Sequence, residues 1–169
     1  MAKYLAFSDS HGRDESMLEV IGQYKNELEG LFFMGDMEGS GDRLRNSIPG
    51  PTYVVRGNCD WYSQAPQFQV IRLHGHTVAM THGHRQHVNT GIDVLKYWAL
   101  EQGADIVLYG HTHVPFVEQT SRLTVVNPGS ISRPRQSDHI PTYAVIDFLD
   151  NGELKIEICN AKKVRERNS

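Results

Sequence analysis

The chain has 169 residues, 39% of them hydrophobic, and its 17 Lys+Arg against 20 Asp+Glu give a formal charge of −3 at pH 7. No stretch approaches the roughly 18 apolar residues of a membrane span, and no long basic run supplies the clustered cations that bulk nucleic-acid binding requires. Composition therefore argues for a soluble globule without membrane or bulk nucleic-acid partners. It is expected as one domain over 1–169, with a frayed basic end around Lys162 to Arg167.

Only Tyr4-Leu5-Ala6-Phe7 follows Lys3 before polar residues begin. That is shorter than the roughly 7-residue apolar core of a signal peptide, so a cytoplasmic chain is expected. The run leads into Ser8-Asp9-Ser10-His11. Met17, Leu18, Ile21, Tyr24 and Leu28 then recur at helical spacing, with Gly30 as the predicted stop. Leu31-Phe32-Phe33-Met34 runs into Gly35-Asp36, and Tyr53-Val54-Val55 into Arg56-Gly57-Asn58-Cys59-Asp60. Phe68 to Leu73 and Thr77 to Met80 flank a turn near Gly75-His76 and read as a hairpin. The second of these runs leads into Thr81-His82-Gly83-His84. Asn89 is the predicted cap of a helix carrying Ile92, Leu95, Trp98 and Ala99, closed by Gly103. Ile106 to Tyr109 runs into Gly110-His111-Thr112-His113, and Thr142 to Phe148 with Leu154 to Ile158 form a second hairpin around Asp150-Asn151-Gly152. Buried strands alternating with helices, plus two hairpins, predict an α/β fold of two packed mixed β-sheets flanked by helices.

Nine histidines are the oddity of the composition, and placement separates them. Asp9, His11, Asp36, Asn58, His82, His111 and His113 all follow apolar runs, at the carboxyl ends of strands where such sheets gather their ligand-binding loops. Either aspartate alone reads as a turn residue; the joint pattern reads as a metal site. Asp9-x-His11 and His111-x-His113 each offer two ligands from one loop. Carboxylate, imidazole and amide donors suit manganese, iron, cobalt, nickel or zinc alike, and manganese is taken as the first candidate. So many ligands exceed the four of one tetrahedral ion and suit two divalent ions about 3.5–4 Å apart sharing a carboxylate. Asp36 is the candidate bridge, because Gly35 lets the backbone approach closely. Two divalent ions outweigh Asp9, Asp36 and a bridging hydroxide in charge, and the matching substrate is an anionic phosphoryl group.

The ordered set Asp9-x-His11, Gly35-Asp36, Gly57-Asn58-Cys59-Asp60, His82-Gly83-His84 and Gly110-His111-Thr112-His113 resembles the calcineurin-like metallophosphoesterases, within them the small bacterial and archaeal phosphodiesterases of the YfcE type. Asn127-Pro128-Gly129-Ser130 and Pro134-Arg135 resemble that subgroup's late loop. The resemblance implies an α/β/β/α sandwich. It also implies one metal on Asp9, His11, Asp36 and His113, a second on Asp36, Asn58, His82 and His111, and hydrolysis of small or nucleotide-like phosphodiesters by a metal-bridging hydroxide. Phosphomonoesterase or protein phosphatase activity uses the same metals and is the alternative; a non-catalytic scaffold on this fold is disfavoured because every ligand position holds a competent residue.

Many members of the superfamily carry His where this chain has Cys59, and a thiol is a poorer general acid than imidazolium. Leaving-group assistance is then weak or falls to His84. Cys59, His84, Arg133 and Arg135 are the candidates for contact with substrate. Asp60 is expected to orient its loop or Arg56, and Trp61 and Tyr62 to wall the pocket or pack. His74, His76, His87 and His139 receive no function. Cys59 and Cys159 suggest neither a disulfide framework nor a zinc–thiolate site. Homo-oligomerisation is left open.

Overall fold

Strands that are apolar at every position bury both faces, and this chain provides a cover for each face. The computed structural model describes residues 1–39 and 41–161. The expected fraying of Lys162 to Arg167 lies outside them. Strands β1 (Ala2–Phe7), β2 (Leu28–Phe33) and β3 (Thr52–Val54) run parallel, with helix α1 (Glu15–Tyr24) crossing between the first two and a short α2 (Asp42–Arg45) before the third. A hairpin of β4 (Phe68–Leu73) and β5 (His76–Thr81) follows, then α3 (Asp93–Glu101), β6 (Ile106–Leu108), β7 (Phe116–Gln119), β8 (Thr124–Asn127), and a hairpin of β9 (Thr142–Phe148) and β10 (Leu154–Asn160). They form two five-stranded sheets, ordered β10-β9-β1-β2-β3 and β4-β5-β6-β8-β7. Each sheet mixes parallel and antiparallel pairs, as the sequence predicts.

Alternation along each strand divides the core into layers. Leu5, Phe7, Leu31 and Phe33 face α1, where they meet Met17, Val20 and Ile21. Tyr4, Ala6 and Phe32 turn the other way and pack on Val78, Met80, Ile106 and Leu108 of the second sheet. On that sheet's outer face Ala79, Val107 and Val125 meet Leu95 and Ala99 of α3. The layers are helix, sheet, sheet, helix. No helix among the described residues is long and apolar enough to cross a membrane.

Several local expectations are corrected. Helix α1 ends at Tyr24, and Leu28 and Gly30 belong to β2. Gly30 serves close packing rather than a helix stop: a Cβ there would lie 2.4 Å from the Tyr4 ring. The first hairpin turns at His74 and Gly75, one residue earlier than predicted, with φ of 51° and 84°, the left-handed pair that a two-residue loop between twisted strands favours. Asn89 does not cap α3, which starts at Asp93 after Ile92; its amide reaches His111 instead. Gly103 does follow the end of α3, at φ +70°, with its N–H on the Leu100 carbonyl. The sequence reading did not foresee β7 and β8.

Candidate metal centre

The parallel strands of both sheets point their carboxyl ends to one edge of the sandwich. Asp9, Asp36 and Asn58 leave β1, β2 and β3 there, and His82 and His111 leave β5 and β6. The loops carrying them are locked together by main-chain hydrogen bonds: Asp9 N–H to Gly35 O and His11 N–H to Asp36 O, both 3.0 Å, and Gly110 N–H to His82 O at 3.0 Å. Asp9, His11, Asp36, His111 and His113 all hold left-handed backbone, with φ between 45° and 69°. Such a conformation costs a side-chain-bearing residue on the order of 1 kcal/mol or more and persists where the surroundings impose it, which is common at functional sites.

The two buried carboxylates are held asymmetrically. Asp9 Oδ2 accepts from Ser8 Oγ at 2.5 Å and from the His111 N–H at 3.0 Å. Its Oδ1 is buried without any hydrogen-bond donor and lies 3.2 Å from His113 Nε2 and 3.8 Å from both His11 Nε2 and His82 Nε2. Asp36 Oδ1 accepts the Cys59 N–H at 2.8 Å, while Oδ2 lies 3.2 Å from His82 Nε2 and 3.9 Å from His11 Nε2. Glycines make room for this crowding. A Cβ at Gly57 would sit 2.1 Å from Asp36 Oδ1, and one at Gly110 would sit 2.0 Å from Ser8 Oγ.

Each imidazole is oriented by its other nitrogen. His82 Nδ1 donates to the Met34 carbonyl at 2.6 Å, His113 Nδ1 to the Arg133 carbonyl at 2.7 Å, and His11 Nδ1 to Glu38 Oε2 at 2.7 Å. With Nδ1 donating to the protein, Nε2 faces the carboxylates, where it donates a hydrogen bond when protonated and offers a lone pair to a cation when not, the arrangement usual for metal-binding histidines. His111 is reversed: Nε2 meets the Asn89 side-chain amide at 3.0 Å, and Nδ1 lies 3.2 Å from His82 Nε2. His11 Nε2 and His113 Nε2 are likewise 3.2 Å apart. Lone pairs at that separation repel unless a proton or a cation lies between them. Together with the donorless Asp9 oxygen, this is a donor set that fits divalent cations.

Among the described residues, ligand atoms converge in three groups: Asp9 with His11 and His113; Asp36 with His82 and His111; and His11 with Asp36 and Cys59. Burial raises the Asp36 carboxyl, but the hydrogen bond and charge of His82 outweigh it and hold the group well below the ordinary carboxylate range. Burial lowers His82, yet its hydrogen bond to Asp36 and the charges of Asp9 and Asp36 leave it raised. His84 and His111 are lowered, first by burial and then by His82. Burial, followed by the charge of Asp36, pushes the Cys59 thiol up to about 11.

Asn58 stands exposed at the rim, its amide nitrogen 3.5 Å from Cys59 Sγ. His84 is half-buried, its ring 5.5 Å from that of His82 and 6.0 Å from that of His111, with Nδ1 buried and without a partner. Arg133 and Arg135 have exposed side chains, and their backbones brace His113: Arg133 O accepts from its ring and the Arg135 N–H donates to its carbonyl at 3.1 Å. Asp60 accepts the N–H groups of Asp36, Glu38 and Gly57, orienting the loops as expected. His74 and His76 lie at the opposite end, against Glu29 and Asp105, while His139 sits on the loop of Arg133 and Arg135 with Nδ1 3.3 Å from the Pro134 carbonyl. Sequence reasoning missed Glu38 and Asn89, and also Ser130 and Ser132, whose hydroxyls hold the Asp9 and Ser10 carbonyls at 2.7 Å. Glu38, two residues after Asp36, was the one of these with a readable signal.

Two packed mixed sheets with an aspartate–histidine edge define the fold of the metallophosphoesterases. The chain belongs to the calcineurin-like phosphoesterase superfamily, whose domain profile matches residues 3–151. It is 30% identical to the probable metallophosphoesterase YsnB of Bacillus subtilis over 78% of this chain and 76% of that protein. It is 29% identical to the phosphodiesterase YfcE of Escherichia coli over 97% of this chain and 96% of that one. A predicted phosphoesterase of Streptococcus pneumoniae superposes with a TM-score of 0.82 at 34% identity, over 96% of this chain and 92% of that chain. Vps29 of Entamoeba histolytica, solved with zinc, shares the fold at a TM-score of 0.74 and 17% identity, over 94% of this chain and 99% of that one. The family is one of metal-dependent phosphoesterases, and the relatives' names support a hydrolase.

Proposed function

We propose that the chain is a cytoplasmic phosphodiesterase, one domain over 1–169, that hydrolyses small or nucleotide-like diesters with two divalent cations. Asp9, His11, Asp36 and His113 would hold one cation and Asp36, Asn58, His82 and His111 the other, manganese being the first candidate. The supporting observation is the convergence of imidazole nitrogens on a buried Asp9 oxygen that has no donor. When bound, the cations supply an activated water and the charge that offsets the phosphoryl oxygens in the transition state. The chain's own residues set the geometry. Cys59 N–H fixes one oxygen of Asp36 so that the other faces His82 and His11, and Met34, Arg133 and Glu38 fix the rings. Cys59 and His84 stand on the leaving-group side, and Arg133 and Arg135 reach substrate from the rim. A Cys59 thiol protonates a leaving oxygen poorly, so rates should fall steeply as the leaving-group pKa rises.

The test strips the protein of metal and restores manganese, nickel, cobalt, zinc or magnesium singly, following an aryl phosphodiester and the matching monoester. Faster turnover of the diester is expected, and a faster monoester would favour a phosphomonoesterase. Asp36→Asn should abolish turnover and lower the metal stoichiometry from two. Two ions bound by that variant with normal turnover would overturn the shared position.

A further inference from the structure

Beside Asn58 opens a cavity of about 270 Å³ bounded also by Arg56, Trp61, Gln67, His84 and Arg85. Pockets that enclose whole drug-sized ligands start at roughly 300 Å³, so this one suits a single arm of a substrate. Among the described residues its two arginines are uncommitted to carboxylates. The ion pairs of fixed cations among the described residues use Met1, Lys3, Arg45 and Lys96. Arg85 donates to the side-chain oxygen of Gln67, another lining residue. Asp60, the carboxylate in the lining, is occupied by three backbone N–H groups. An adjoining cavity of about 510 Å³ has the opposite character: Glu38, Cys59, Trp61 and Tyr62 border it, and among the described residues no cationic side chain does. Asp60 and Trp61 border both spaces. A second anion on the substrate is attracted to the first cavity and repelled by Glu38 from the other.

We propose that the Arg56–Arg85 cavity is a subsite for a second phosphate, so that the substrates are phosphodiesters carrying a terminal phosphate on one arm. This rests on the phosphodiesterase function proposed above. The reacting phosphoryl group lies by Asn58 and Cys59, the phosphorylated arm passes His84 toward the arginines, and the other arm takes the wider space by Trp61 and Tyr62. Guanidinium forks match phosphate oxygens in pairs, which gives such a subsite both affinity and selectivity.

Two measurements test it. Hydrolysis of thymidine 5′-(4-nitrophenyl phosphate) is compared with that of its 3′-phosphorylated form, and binding of thymidine 3′,5′-bisphosphate is compared with that of thymidine 5′-monophosphate by calorimetry. The wild-type protein should prefer the doubly phosphorylated member about tenfold in KM and Kd, the size expected of one charge-assisted contact. Arg85→Gln and Arg56→Gln should each shrink that ratio to within about twofold. No preference in the wild-type protein, or a preference intact in both variants, overturns the proposal. Absence of hydrolysis of bis(4-nitrophenyl) phosphate with every metal would sink the phosphodiesterase function separately, while the calorimetric ratio still decides the subsite.

Discussion

Histidines occupy both ends of the sandwich and behave differently at each. At the edge where the parallel strands finish, His11, His82 and His113 each give one nitrogen to the protein and turn the other toward a carboxylate. At the opposite end, His76 commits both nitrogens, Nδ1 to Asp105 Oδ2 at 2.6 Å and Nε2 to the Gly152 carbonyl at 3.0 Å. His74 there pairs with Glu29 at 2.8 Å, and its ring lies tilted against that of Phe148 with centroids 5.1 Å apart. A histidine satisfied on every side joins strands and turns; one left with an aimed lone pair can take a cation. Counting histidines does not separate the two cases.

The sharpest way to break this contrast is to disturb the reactive end without removing a polar group. Gly110→Ala would drive a Cβ into Ser8 Oγ and Asp9 Oδ2, the latter 2.8 Å away. Turnover of an aryl diester should fall by about 100-fold, since an ångström of misplacement has that effect at a reacting centre. Full activity in a folded Gly110→Ala protein would show that the placement of Asp9 does not matter. Next in size is the response to chelation. Cations bound at about 100 times Kd add about 2.7 kcal/mol, so a chelator should lower the Tm of the wild-type protein by about 5–10 °C. Asp9→Asn should show little response, and an equal drop in both proteins would place the cations elsewhere.

Smaller effects come from the residues behind the ligands. Glu38→Ala frees the His11 ring and should weaken manganese binding by about 10- to 100-fold in a calorimetric titration, with Glu38→Gln recovering part of it. Smallest for function is His76→Ala at the satisfied end. It should cost about 1–2 kcal/mol of unfolding free energy in urea and leave diester turnover at the wild-type rate. A large loss of rate in that variant would join the two ends and end the contrast.

The sequence was informative where chemistry follows burial. Runs such as Leu31 to Met34 are apolar throughout because both faces are covered, and each polar residue at the end of such a run lands on the common edge. Strands β7 and β8 escaped notice because Phe116–Gln119 is mostly exposed without clean alternation and Thr124–Asn127 spans only four residues. Asn89 read as a helix cap because a polar residue before an apolar period has that local meaning, whereas its contact with His111 is set by the tertiary fold. The carbonyls of Met34 and Arg133 that aim two rings carry no side-chain signature at all. Neither did the left-handed backbone at Asp9, His11 and Asp36, which in a sequence announces itself only when the residue is glycine.

Asp9 and Asp36 hang from one sheet while His82 and His111 hang from the other, so the polar cluster straddles the seam between them. Sliding one layer past its neighbour would shear the cluster apart before exposing much oil to water. Methyl groups deep in that seam, such as those of Val78 and Ile106, thus act as shims for a reaction they never touch.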